Sequence, residues 1–180
     1  MKKFDIIVVG GGHAGIEAAS AGARMGCSVG LVTMDRLALG RMSCNPAIGG
    51  TAKGHLVREI DALGGIMGLI SDRTGIQFRM LNKSKGPAVW SPRCQSDRKL
   101  YSEEAYRIIS PTPNLEIVEE SAVEVIAENG KVVGIKTQSG EEIHCKALIL
   151  SSGTFLNGLM HTGLNKTSGG RFGERTSRIG

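Results

Sequence analysis

The sequence predicts an α/β fold built around a parallel β-sheet, and three observations near its start carry this prediction. A short apolar run, residues 4–9, is typical of a buried strand. A glycine cluster and an alanine-rich stretch follow, and residues 14–25 show a helical pattern. A second apolar run, residues 28–33, completes a strand–helix–strand unit of about thirty residues, the kind that joins parallel strands.

The remaining elements follow in order along the chain. Residues 34–53 are irregular, and Leu56, Ile60 and Leu63 share one face of a helix predicted over residues 55–63. Further along we expect a strand at 76–81, a loop at 84–92, a helix at 97–109, strand structure over 115–127, a hairpin joining 131–137 to 142–144, and a buried strand at 147–151. After residue 155 the chain is rich in glycine and arginine and shows little periodicity.

Composition excludes several classes of protein. The 180 residues amount to about one domain, and the 26 glycines occur without the G-X-Y period of collagen. No apolar stretch is long enough to span a membrane. The net charge of +5 includes two basic groups, which predict either a solvated surface or a polyanion partner. These groups are Lys83, Lys85, Arg93, Arg98 and Lys99, and then Arg171, Arg175 and Arg178.

The four cysteines indicate free thiols in a reducing, cytoplasmic environment. Cys27, Cys44, Cys94 and Cys145 form no C-x-x-C pair, and their spacing to the four histidines matches no metal site. We therefore expect no bound metal.

The glycine cluster after the first strand fits the dinucleotide-binding fingerprint G-x-G-x-x-G at Gly10, Gly12 and Gly15. The first glycine allows a tight turn, the second leaves room for a pyrophosphate, and the third lets helix and strand pack closely. Free N–H groups at the helix start then bind the phosphates. We predict a Rossmann-like domain in which Gly11, His13 and Ala14 also belong to the cofactor site.

Two residues are candidates for binding the ribose of the cofactor. An acidic side chain is usual at the end of the second strand, and this position holds Thr33, with Asp35 two residues further on. Thr33 could bind the ribose weakly, or Asp35 could reach it. For His13 we expect packing, or contact beside the phosphates, rather than catalysis.

The late strand at 147–151 favours FAD over NAD. It follows a small β-meander and ends in Ser152-Gly153-Thr154, and it resembles the second signature of the glutathione-reductase-like flavoproteins. We therefore predict an FAD-binding domain of that type, a parallel sheet with a small β-meander, in which Gly153 lies close to the nucleotide.

The run Met42-Ser43-Cys44-Asn45-Pro46-Ala47-Ile48-Gly49-Gly50 is specific enough to indicate a particular family. It resembles the glucose-inhibited division protein A family of tRNA uridine 5-carboxymethylaminomethyl modification enzymes, and the resemblance covers essentially all 180 residues. It continues through Gly54-His55-Leu56-Val57, Asp61-Ala62-Leu63-Gly64-Gly65, Gly75-Ile76-Gln77-Phe78-Arg79, Lys85-Gly86-Pro87-Ala88-Val89, Gln95, Asp97-Arg98, Gly153-Thr154-Phe155-Leu156 and Ser168-Gly169-Gly170-Arg171.

This resemblance implies an FAD enzyme that modifies C5 of the wobble uridine in tRNA together with a GTPase partner. It further implies methylenetetrahydrofolate and NADH as co-substrates, a homodimer, FAD contacts at Gly10–Gly15, the backbone of Ala122 and Ser177, and a functional cysteine at Cys44. Family members are far longer. We therefore expect residues 1–180 to form the FAD-binding domain of a longer protein, inactive without the NADH-binding insertion and the helical C-terminal domain.

The role of Cys44 is open at this level. Its thiolate could add to C6 of uracil and make C5 nucleophilic, or the thiol could move a proton. Two other functions stay as alternatives, a different FAD-dependent oxidoreductase and a non-catalytic nucleotide-binding module. The missing C-x-x-C argues against a disulfide reductase.

Overall fold

The computed structural model describes residues 2–43, 45–170 and 179, and it contains a parallel-rich sheet with helices packed against it. The strands are β1 (Lys2–Val9), β2 (Val29–Thr33), β3 (Ala47–Gly49), β4 (Gly75–Leu81), β5 (Ser91–Ser96), β6 (Leu115–Glu119), β7 (Ala122–Glu128), β8 (Lys131–Thr137), β9 (Glu142–Leu150), β10 (Leu159–Thr162) and β11 (Asn165–Ser168). The helices are α1 (His13–Arg24), α2 (Gly54–Ala62), α3 (Met67–Thr74) and α4 (Arg98–Ile109), with short 3₁₀ turns at Arg36–Ala38, Lys83–Lys85 and Pro87–Val89.

The main sheet has six strands in the order β6-β2-β1-β9-β8-β7. Its first four strands run parallel, and β8 and β7 continue it as an antiparallel meander. This is the predicted class, a Rossmann-like α/β fold with a small β-meander, and the prediction is confirmed.

The core lies on both faces of this sheet. On one face, side chains of β1 and β2 pack with α1 and α4, where Ile16, Tyr101 and Ile109 are fully buried. On the other face, Ile7 and Val9 meet the meander residue Ile135. Alternate residues of β1 therefore enter opposite clusters, as the period of two along a strand requires.

A second, three-stranded antiparallel sheet has the order β3-β5-β4. Helices α2 and α3 lie between β3 and β4 in the chain, and both make contacts with this small sheet. A separate hairpin joins β10 to β11. None of the helices in the described part of the chain has the length and apolar character needed to cross a membrane.

Several sequence predictions of secondary structure were incomplete. Residues 115–127 contain two strands, because the polar Glu120-Ser121 step separates a strand on the parallel side from one in the meander. Residues 142–151 hold one long strand rather than two. Lys146 does not interrupt it, since its ammonium points outward to form a 2.7 Å ion pair with Asp5.

The small sheet and its helices were the weakest part of the prediction. Helix α3, strand β5 and the β10–β11 hairpin were not predicted, and β5 begins within the expected loop. The predicted helix near residue 55 is present as α2, yet Leu56 and Leu63 are exposed rather than buried. The apolar face therefore does not face the core of the described chain.

Candidate functional site

The carboxyl ends of the four parallel strands meet at one edge of the main sheet. These strands end at Val9, Thr33, Glu119 and Leu150. From β1 the chain proceeds to β2 and β6 on one side, whereas β9 lies on the other side of β1. The edge beside β1 is therefore a topological switch point, where ligands bind in open α/β sheets.

Two fingerprint glycines are required by the protein's own packing. Gly10 follows β1 with φ of +110°, and a Cβ there would overlap the backbone carbonyl of Ser151. A Cβ at Gly15 would overlap the Gly10 carbonyl and lie 2.8 Å from Ser151 Oγ. These glycines let the loop, α1 and the end of β9 come into contact, as the fingerprint predicts.

Ser151 joins the end of β9 to the glycine loop, and it was not singled out from the sequence. Its hydroxyl donates to the carbonyl oxygens of Val9 at 2.9 Å and Gly10 at 3.2 Å. Its amide also donates to the Val9 carbonyl at 2.8 Å. The only signal in the sequence was its place at the end of a predicted strand.

Gly12 differs from its neighbours because nothing in the described chain lies within 4 Å of a Cβ built there. Its φ of −72° is one that any residue can adopt, so neither backbone strain nor packing requires glycine. A Cβ at Gly11, by contrast, would lie 2.7 Å from the side chains of Leu39 and Thr33. The space beside Gly12 is where a close-fitting ligand would be.

The N-terminus of α1 opens onto the same space. Gly12 is its N-cap, no side chain caps the helix, and the first turn carries no acidic residue. Ala14 is exposed in that turn. Uncapped N–H groups and the positive end of a 12-residue helix suit an anion. The arrangement therefore fits the pyrophosphate of a dinucleotide.

Both candidate ribose ligands lie just after β2, and both make contacts within the protein. The Thr33 hydroxyl donates to the Asp35 carbonyl at 3.3 Å. The Asp35 carboxylate accepts from the Leu37 amide at 2.8 Å and forms a 3.0 Å ion pair with Arg41. Thr33 is buried whereas the Asp35 side chain is 46% exposed, so Asp35 is the more accessible of the two.

His13 packs against Tyr101, with ring centroids 5.4 Å apart and ring planes tilted by 55°. Burial lowers the pKa of His13, which favours the neutral imidazole at pH 7. Its buried Nδ1 makes no hydrogen bond within the described chain. His13 therefore packs against Tyr101, and its contact beside the phosphates stays a prediction.

The other predicted site residues lie in different settings. Ala122 is buried at the start of β7, in the cluster that includes Val9 and Val32. Gly153 is exposed just beyond β9, with φ of +59° and open space around a built Cβ. Cys44 and Ser177 lie outside the described residues.

Of the basic residues noted in the sequence, Arg171, Arg175 and Arg178 lie outside the described residues, and the others are mostly exposed. Lys83 and Lys85 belong to a short 3₁₀ turn, and Arg98 begins α4. Arg93 is half-buried in β5 and donates to two neutral amide oxygens. Within the described ranges, no group of three or more histidine, cysteine, aspartate or glutamate side chains could hold a metal ion.

At the switch point of the parallel sheet, the glycine loop meets the uncapped N-terminus of α1. This arrangement defines a Rossmann-like dinucleotide-binding domain. The chain belongs to the Glucose inhibited division protein A family, whose family model matches residues 5–179.

Individual relatives agree with this assignment. The chain is 56% identical over 175 residues to the "tRNA uridine 5-carboxymethylaminomethyl modification enzyme MnmG" of Phocaeicola vulgatus, covering 97% of this chain and 28% of the relative. It is 56% identical over 174 residues to the protein of the same name from Flavobacterium johnsoniae, again covering 97% and 28%. The chain thus spans a little over a quarter of the length of these curated relatives.

Solved structures show the same fold. Aquifex aeolicus GidA superposes with a TM-score of 0.94 at 51% identity, over 98% of this chain and 29% of that one. A GidA-related protein from Thermus thermophilus has a TM-score of 0.67 at 19% identity, over 96% of this chain and 63% of that one, which shows the shared fold alone.

Proposed function

We propose that this chain holds FAD within a longer enzyme that modifies C5 of the wobble uridine of tRNA. Family membership and two relatives named as tRNA uridine 5-carboxymethylaminomethyl modification enzymes support the proposal. Residues 1–180 are the FAD-binding domain in this proposal, and the other domains belong to the rest of the longer protein.

The observation that carries the FAD site is the open space at Gly12. Gly10, Gly11 and Gly15 are each explained by neighbouring atoms of the protein, whereas no atom of the described chain requires glycine at position 12, and we attribute this glycine to a ligand that a side chain would displace. A pyrophosphate in this space would face the first-turn amides of α1, beginning at His13 and Ala14.

The protein's residues then have distinct tasks. The α1 amides bind the phosphate oxygens, Ser151 holds the glycine loop against β9, and Asp35 is placed to accept hydrogen bonds from a ribose after small local movement. Thr33, with its hydroxyl directed to a backbone carbonyl, supports that turn. Bound FAD would supply two-electron redox chemistry at its isoalloxazine ring.

Ala122, Gly153 and Ser177 complete the proposed FAD contacts. Ala122 offers its backbone beside the end of the parallel sheet, and Gly153 offers an exposed backbone with room for a close approach. Ser177 is assigned by the family resemblance.

Cys44 is the proposed catalytic residue, acting as nucleophile or proton donor on the uridine. It precedes Asn45, which contacts the small sheet through Arg93. NADH, methylenetetrahydrofolate, a GTPase partner, homodimer formation and a cytoplasmic location complete the proposal, and each rests on the family resemblance.

Gly12→Val tests the cofactor site. In the full-length protein we expect FAD affinity to fall at least about a hundredfold, because the valine would occupy the pyrophosphate space. The thermal melt of the cofactor-free protein should change little, because a Cβ built at this position meets no atom of the described chain within 4 Å.

Ala62→Val serves as the matched control, because it adds the same kind of bulk at an exposed helical position and keeps the charge. Flavin absorbance per protein and equilibrium titration with FAD are the measurements. Normal FAD affinity in Gly12→Val would refute the proposed pyrophosphate site.

A further inference from the structure

The small sheet presents two arginines side by side on one face. Strand register places Arg79 of β4 directly opposite Arg93 of β5, and Gln77 directly opposite Gln95. Because opposite residues of antiparallel strands point to the same face, with Cβ atoms about 5 Å apart, the four side chains form one polar patch. We call Gln77, Arg79, Arg93 and Gln95 the arginine face.

This pairing costs stability unless a negative charge compensates it. Like charges directly opposite each other on neighbouring strands repel. Neither Arg79 nor Arg93 forms an ion pair with any carboxylate of the described chain. The arginine face therefore lacks a counter-ion of its own.

The guanidinium of Arg93 is nevertheless held in position. Its Nη2 donates to Gln95 Oε1 at 2.7 Å and to Asn45 Oδ1 at 3.1 Å. Neutral amide oxygens orient the cation without cancelling its charge, which leaves it able to bind an anion. Arg79 is exposed beside it and makes no hydrogen bond to the described chain through its side chain.

The opposite face of the small sheet has a different character. There the register aligns Ile48, Phe78 and Cys94, of which Ile48 and Cys94 are buried and Phe78 is exposed. A cavity of about 500 Å³ adjoins the small sheet, and its lining includes Arg79 and Arg93 together with Arg58, Asp61 and Asp72. The three arginines of this lining outnumber its two aspartates, so the cavity keeps a net positive charge beside the arginine face.

We propose that Arg79 and Arg93 bind a phosphate group, and that its source is the backbone of the RNA substrate. The source, though not the phosphate chemistry, rests on the proposed function. Planar guanidinium groups match phosphate oxygens in a bidentate geometry, and two adjacent groups suit a doubly contacted phosphodiester. Asn45 contacts Arg93, so a bound backbone would lie beside the residue that follows the proposed catalytic cysteine in the chain.

The test uses the full-length, FAD-loaded protein, so that the glycine loop is filled. Binding of an unmodified tRNA transcript is measured by fluorescence anisotropy over a series of salt concentrations. Arg79→Gln and Arg93→Gln should each weaken binding about tenfold and reduce the salt slope by about one. Arg79→Lys keeps the positive charge but loses the planar guanidinium that can bind two phosphate oxygens. Its tRNA affinity should therefore lie between those of the parent protein and Arg79→Gln.

Lys131→Gln is the matched control, because it removes one positive charge from an exposed hairpin of the meander. Its affinity and salt slope should equal those of the parent protein. Flavin content and thermal melts, measured on every variant, separate a binding defect from misfolding.

A second arm titrates inorganic phosphate into the parent and the two glutamine variants by calorimetry. Loss of phosphate binding with unchanged tRNA affinity would support the phosphate site and overturn the RNA source, assigning a phosphorylated small molecule instead. Unchanged tRNA and phosphate binding in both variants would overturn the site itself. A parent protein that binds no tRNA would refute the proposed function, while the phosphate arm would still test the arginines.

Discussion

Two surfaces of this protein are built in opposite ways, one at the carboxyl edge of the main sheet and the other on the small sheet. At the main sheet the site is made of backbone, and close contacts between Gly10, Gly15 and Ser151 determine its shape. At the small sheet the surface is made of side chains, and two arginines face outward without a carboxylate partner in the described chain.

This difference predicts which property a mutation at each surface should change first, folding stability or ligand binding. A backbone site depends on the absence of side chains, so small substitutions that create overlaps affect folding first. A side-chain site depends on charge and reach, so substitutions there affect ligand binding first. Glu17 connects the two regions, because this α1 residue binds backbone amides at the start of α3.

Gly15→Ala should produce the largest loss of stability. Its Cβ would overlap the Gly10 carbonyl, and the backbone on both sides is held by packing. We expect a loss of about 3 kcal/mol or more in the free energy of unfolding, measured by urea denaturation of the cofactor-free protein. Gly12→Ala should cost less than about 1 kcal/mol in the same assay, since its Cβ meets no atom within 4 Å. Equal losses would remove the distinction between the packing glycines and the ligand glycine.

Cys44→Ser tests the catalytic role proposed for Cys44. Serine is nearly isosteric but a much weaker nucleophile at neutral pH, so wobble-uridine modification should fall about a hundredfold or more. Flavin content, tRNA affinity and the melting temperature of the full-length protein should stay near the parent values. The measurement is mass spectrometry of tRNA nucleosides. Near-normal modification together with a lowered melting temperature would assign Cys44 to packing.

Glu17→Gln should give the smallest effect and tests the connection between the regions. The carboxylate accepts from the Met67 amide at 2.6 Å and the Ile66 amide at 3.0 Å. Loss of its charge should cost about 1 kcal/mol in the free energy of unfolding, because charged hydrogen bonds at a helix start are stronger than neutral ones.

Glu59→Gln provides the control for this change, since Glu59 is exposed on α2. Hydrogen exchange of the α3 amides should increase in Glu17→Gln and stay unchanged in the control. Identical exchange in the two variants would show that Glu17 does not hold α3 in place.

Much of the main sheet could be predicted from local sequence. Strand β1, helix α1 and strand β2 are each encoded by a short run of apolar, glycine or alanine residues, and the fingerprint locates the ligand edge without any distant contact. The hairpin of the meander followed from the two strand-like runs on either side of Ser139-Gly140. The family run around Cys44 likewise depends only on residue order, which is why it indicated the family before any fold was known.

The tertiary structure decided what depends on residues far apart in the chain. Ser151 meets Gly10 across 141 positions, and Arg79 meets Arg93 only through strand pairing that Gly86 and the two prolines between them concealed. It also showed which fingerprint glycine is open, because that depends on neighbouring atoms and not on residue type. Local patterns therefore determined the dinucleotide fold, whereas long-range packing and register determined which backbone groups and charges remain available to ligands.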